Sequence, residues 1–206
     1  MLNIKLGFYS AIIAAISVII FSFAMVIDKK ISFLVCMILS WAYITLSCSF
    51  LTTFEEDKKA FGLSGLIFSV IYAVFINLVY FTQLTTVSYK AASEEVLKVL
   101  TFQPGSWLFM FDLFGYGMMA LSTLFIGICI NPKKLSEKIL KALLITHGLF
   151  FPICIIFPIL NLFKPETNAS QGSNIWIIAL EGWCLYFIPT MILVALYFRN
   201  RLKDLK

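Results

Sequence analysis

The chain is 206 residues long, 61% hydrophobic and only 13% charged, with a mean hydropathy of +0.95, well beyond the apolar share of an ordinary soluble domain. Its formal charge of +5 comes from basic residues that flank apolar runs, with no basic stripe interleaved with aromatics, so nucleic acid is not an expected partner. The longest polar insert, 84–105, is the size of one short helix with its flanks; it leaves no room for a soluble catalytic module and makes the chain a single domain.

Six apolar runs, at about 6–27, 31–53, 61–83, 106–130, 140–162 and 174–198, are each long enough to cross a hydrocarbon core of about 30 Å. Lipid offers backbone groups no hydrogen-bond partners, and the runs lack the period-two alternation of a barrel, so they predict six transmembrane helices in an all-α polytopic integral membrane protein. Eleven Lys and Arg residues lie on the side of the two termini and the 54–60 and 131–141 connections, against five on the other. That bias predicts cytoplasmic termini and an outer 84–105 crossover. The first run is longer than a signal-peptide core and lacks an A-x-A site, so it reads as an uncleaved span.

In the first span, Ser10, Ala11, Ala14 and Ala15 place small residues four apart, which suits close helix packing. Asp28, Lys29 and Lys30 make a tight outer turn. The second span carries many hydroxyls that suit interhelix packing, and Trp41 near its middle, away from the interfacial belt that tryptophan prefers; its indole is expected to face another helix or a cavity. Glu55 to Lys59 form a solvated inner turn. In the third span Ser69, Tyr72, Ala73, Asn77, Tyr80 and Gln83 recur at three- and four-residue steps, a face that lipid would penalise and that should look into the bundle.

Within the crossover, Ser93 followed by Glu94 and Glu95 reads as a helix start, predicting a short amphipathic outer helix that Gln103, Pro104 and Gly105 end. The fourth span begins at Ser106 and Trp107 and aligns Asp112, Tyr116, Met119 and Thr123 on one face. The fifth holds the only histidine, His147, with Pro152 and Pro158, so it should be kinked. The sixth opens near Asn174 and Trp176 after a loop with Lys164, Pro165 and Glu166. It puts Glu181 about two turns in and carries Pro189 deeper down. Asn168-Ala169-Ser170 matches a glycosylation sequon. Cys36, Cys48, Cys129, Cys154 and Cys184 all fall in spans with no C-x-x-C pair, which argues for small apolar packing residues and against a disulfide framework.

Only Asp112 and Glu181 among the eleven carboxylates lie clearly within spans, both in helices running from outside to inside. With Asn77, Tyr80 and Gln83 they are expected to converge on an outward-opening pocket, to which Tyr116 and Trp41 would also contribute. An ionisable side chain inside a membrane is expensive enough to be a functional-site hypothesis by default. The alternative is a register role, with the acids bonded to Lys90 or Lys98 of the crossover or to interfacial water. His147 lies nearer the cytoplasmic half, as a helix-to-helix hydrogen bond or a proton relay.

A single histidine and the absence of H-E-x-x-H, G-x-S-x-G and G-x-x-x-x-G-K disfavour metal hydrolysis and nucleotide-driven transport, and neither a metal nor a cofactor is expected. The leading expectation is a membrane protein that binds a small ligand or cation in the outer half of the bilayer for transport or sensing. A second is an intramembrane enzyme using the Asp112 and Glu181 pair for acid/base work on a lipidic substrate. A third is a structural, immunity or assembly subunit of a membrane complex. Six spans in so short a chain leave little outside the bundle, so membrane lipids, further copies of the chain or a partner membrane subunit are the expected neighbours. Scarce Arg beside abundant Lys, Ile and Phe points to an AT-rich bacterial genome, and with it to the plasma membrane.

Overall fold

The computed structural model describes residues 1–160 and 169–204, with 169–177 described as backbone only. The described residues are helical and contain no strand. They form α1 (Leu2–Ile27), α2 (Lys29–Leu51), α3 (Lys59–Thr82), α4 (Glu94–Leu100), α5 (Trp107–Cys129), α6 (Leu135–His147), α7 (Phe150–Ile159) and α8 (Ala169–Lys203). Six helical stretches among them are long and apolar enough to cross a membrane, as expected of a multi-pass membrane protein. The loop with Lys164, Pro165 and Glu166 and the sequon's Asn168 lie outside the described residues, as do the side chains of Asn174 and Trp176.

The helices close a ring in chain order. α1 packs on α2, α2 on α3, α3 on α5, and α5 on both α6 and α7; α8 then joins α6 to α1. Two ends result. At the basic end Gly7 meets the ring of Phe198, and Lys58 and Asn131 are hydrogen-bonded. The other, the crossover end, carries the Asp28 turn and α4. There the Asp28 carboxylate accepts from the Lys30 backbone N–H at 2.8 Å and caps α2.

Side-chain size explains the closeness of the ring. Ser10, Ala11, Ala14 and Ala15 of α1 are all buried, as the small-residue pattern predicts, and Gly127 of α5 stands where a Cβ would come within 2.9 Å of Leu144 Cβ on α6. Large apolar side chains such as Ile16, Leu34, Val74, Phe81 and Leu185 point outward, where lipid would meet them.

The sixth span is a longer helix, Ala169–Lys203, than the 174–198 expected, and the third and fifth differ more from their sequence reading. The third does not stop at 83: a tight turn at Glu56–Lys58 precedes it and a π turn at Gln83–Val87 extends it, marked by the Ser88 N–H bond to the Gln83 carbonyl. The fifth is broken, not merely kinked. The break falls at Gly148 and Leu149, one turn before Pro152, whose ring would strike the carbonyl four residues back in a continuous helix. Pro158 lies inside α7 and Pro189 inside α8 without ending either.

Candidate functional site

Three helices bring polar side chains to one buried place near the crossover end. On α3 the expected face turns inward: Ser69, Tyr72, Ala73, Tyr80 and Gln83 are buried. On α5 the Asp112, Met119 and Thr123 row does the same, and on α2 Cys36, Ser40 and Tyr43 face it at three- and four-residue steps.

Asp112 is only 6% exposed, and its Oδ1 atom accepts no hydrogen bond. The Tyr80 hydroxyl is within hydrogen-bonding reach of the same carboxyl group. Tyr116 reaches Tyr80 and lies 3.8 Å from Cys36 Sγ. The Tyr72 hydroxyl stands beside that of Tyr116 but, like Asp112 Oδ1, is buried without a well-formed hydrogen bond. A carboxyl group, three phenols and a thiol thus share a site, and among the described residues no lysine or arginine pairs with the carboxyl. Buried polar atoms are nearly always paired. Two orphans in one cluster mark a place where the protein's own atoms do not complete the bonding.

The cluster is covered by aromatic rings. Phe33 stacks on Tyr80 with centroids 5.3 Å apart, and Phe102, just after α4, lies 5.9 Å from Phe33 and 6.0 Å from Tyr80. Gln83 fixes this cover. Its Nε2 donates to the Leu100 carbonyl at 2.7 Å and its Oε1 accepts the Phe102 N–H at 3.0 Å. The strap it holds lies between two left-handed backbone positions, Lys90 (φ 51°) and Gly105 (φ 85°).

A second buried network begins one ring away. Trp183 packs edge-on against Tyr116 at 5.3 Å and donates its indole N–H to His147 Nε2 at 3.1 Å. Because Nε2 is the acceptor, Nδ1 carries the proton of the neutral ring and donates to Thr123 Oγ1 at 2.8 Å. Thr123 in turn donates to the Ala120 carbonyl. Both ring nitrogens of His147 are therefore occupied, tying α5, α6 and α8 together.

The structure assembles only part of the expected constellation. Asp112, Tyr80 and Tyr116 are together. Gln83 is adjacent but serves the crossover backbone, and Asn77 clasps α2 to α3 by donating to Ser40 Oγ at 2.8 Å and to the Ala73 carbonyl at 2.7 Å. Glu181 accepts from Ser22 of α1 at 2.6 Å, so the two intramembrane acids have different partners on different helices. Trp41 corrects the expectation of a helix- or cavity-facing indole: it is 51% exposed on the outer face of α2. Its position lies in the row of Leu34, Thr45 and Cys48, opposite the row of Cys36, Ser40, Tyr43 and Ser47.

Several site members lie beyond the reach of the sequence reading. Spacing puts Tyr72 on the right face but not in the site, and Cys36 reads as packing, although its spacing to Ser40 and Tyr43 marks the inward face of α2. Thr123 stands on the face that its spacing from Asp112 and Tyr116 predicts, whereas Trp183 and Ser22 carry no signal beyond residue type. Among the described residues no three His, Cys, Asp or Glu side chains gather as for a metal ion. Comparison with known protein families, with curated proteins and with solved structures finds none that this chain matches.

Proposed function

We propose that this chain is a multi-pass membrane protein that binds a small cation at Asp112, for transport or sensing, with Tyr80, Tyr116 and Tyr72 as further oxygen donors. The unpartnered, buried Asp112 Oδ1 carries this reading. A carboxylate set among neutral hydroxyls is a set of hard oxygen ligands of net negative charge, which suits an alkali cation or ammonium. The burial of Asp112 among Tyr80, Tyr72 and Cys36 suits a small occupant. In this reading the ligand enters past the Phe102 strap, and the basic bias of the chain supports an outer position for that strap in a bacterial plasma membrane. An acid/base enzyme is less well supported, because Glu181 is engaged by Ser22 and supplies no second carboxyl group to the cluster.

The test is thermal unfolding of the purified protein in detergent. Choline chloride is exchanged for lithium, sodium, potassium or ammonium chloride at constant pH and ionic strength. One of these cations should raise the midpoint with the logarithm of its concentration above the dissociation constant, by about 2.7 kcal/mol of linkage at a hundred times that constant, and Asp112→Asn should abolish the rise. An equal response in that variant, or none to any cation, would overturn the proposal.

A further inference from the structure

The far end of the molecule carries a different kind of site. Between α1 and α8 runs a groove of about 300 Å³ walled by Phe8, Ile16 and Leu196, with Ala15 and Ala195 at its floor and Arg199 at its mouth. Small residues make the floor, so the helices touch there while larger neighbours stand off on either side. On α1, Lys5 continues the row of Phe8, Ala15 and Ile16 beyond the mouth, and on α8 Lys203 follows Arg199 by one turn. All three cations are exposed, and among the described residues none forms an ion pair; Asp204, the nearest carboxylate in sequence, is exposed and unpaired as well.

We propose that this groove is a binding site for one anionic phospholipid, with an acyl chain between α1 and α8 and the phosphate at Lys5, Arg199 and Lys203. The dimensions fit one leaflet. The eleven steps from Lys5 to Ile16 rise about 16 Å, roughly half of a hydrocarbon core of about 30 Å, and the apolar stretch from Phe8 makes up about 12 Å of that. The apolar part of the groove thus covers most of the depth of a single leaflet, with its cations at headgroup level. Three unpaired cations above an apolar channel complement a negatively charged headgroup joined to a hydrocarbon chain, and each is of the kind that anionic membrane surfaces attract. Arginine adds a planar fork matched to phosphate.

The full chain in a mild, lipid-free detergent is titrated with phosphatidylglycerol, with phosphatidylcholine of the same acyl chains, and with glycerol phosphate, reading the thermal midpoint and the bound mass by native mass spectrometry. Phosphatidylglycerol should act at about a tenfold lower concentration than phosphatidylcholine or below, and glycerol phosphate should have no effect. The combined Lys5→Gln, Arg199→Gln and Lys203→Gln variant alters only exposed side chains; it should unfold like the parent without lipid and lose the preference for the anionic lipid. Ala195→Phe, which fills the floor, should weaken both lipids. Equal action of the two lipids, a preference retained in the charge variant, lipid binding unchanged in Ala195→Phe, or an effect of glycerol phosphate alone would each overturn the site.

Discussion

Two buried polar networks lie one aromatic contact apart, and they differ in a single respect. Around His147 every polar atom has its partner: Trp183 donates to one nitrogen and Thr123 accepts from the other. Around Asp112 the bonding is incomplete, with one carboxyl oxygen and the Tyr72 hydroxyl left over. A fully satisfied network rigidifies a core, whereas a partly satisfied one in a low-dielectric setting carries a penalty that something has to offset. The histidine network therefore acts as a brace between helices, whereas the aspartate cluster is left with unmet bonding capacity, the feature on which the cation proposal rests.

The brace gives the largest expected effect. His147→Ala removes two hydrogen bonds, leaves the Trp183 N–H buried without a partner and opens a cavity beside Phe150 and Phe187, whose rings lie 5.2 Å from the imidazole. A loss of about 3 kcal/mol is expected in denaturant unfolding. The cation response of the surviving folded protein should be unchanged; a lost response with normal stability would reverse the assignment of the two networks.

Next in size is the strap. Gln83→Leu leaves the Leu100 carbonyl and the Phe102 N–H without their side-chain partners, for about 2 kcal/mol confined to the crossover. Cys36, 1% exposed beneath this cover, is a native reporter. With the other four cysteines replaced by alanine, a small methanethiosulfonate should label Cys36 faster in Gln83→Leu than in the parent. Equal labelling would show that reagents, and hence ligands, arrive by another route.

The aspartate cluster should respond in the opposite direction to the brace. Asp112→Asn replaces a carboxyl group that the fold does not fully satisfy with a neutral amide of the same shape, so stability should stay level or rise by up to about 1 kcal/mol. A fall of several kcal/mol in unfolding measurements would place Asp112 in the brace class.

Sequence periodicity shows the inward faces of α3 and α5 well, because a polar row at three- and four-residue steps can face lipid only at a steep cost. That is why Tyr80, Gln83, Asp112 and Tyr116 stand where their spacing predicts. It fails where depth alone is known. Trp41 has the right depth for a cavity and the wrong azimuth, and Glu181, which the sequence reading puts at a depth like that of Asp112, turns to Ser22 of α1. The helix break at Gly148 has its cause in Pro152, but where a helix gives way one turn before a proline depends on packing against α5. Partner identity is the least legible feature, since it depends on side chains from helices far apart in sequence.

The smallest effect separates the two acids most cleanly. Glu181→Gln keeps an oxygen for the Ser22 hydroxyl, so it should change stability by less than about 0.5 kcal/mol and leave the cation response whole. Because the two carboxyl groups have partners on different helices, the double variant with Asp112→Asn should equal the sum of the singles within about 0.5 kcal/mol. A coupling of 1 kcal/mol or more in that cycle would mean that the acids share a proton or an ion. The site would then extend from α5 to α8, past Tyr116 and Trp183, and the acid/base reading would regain its second carboxyl group.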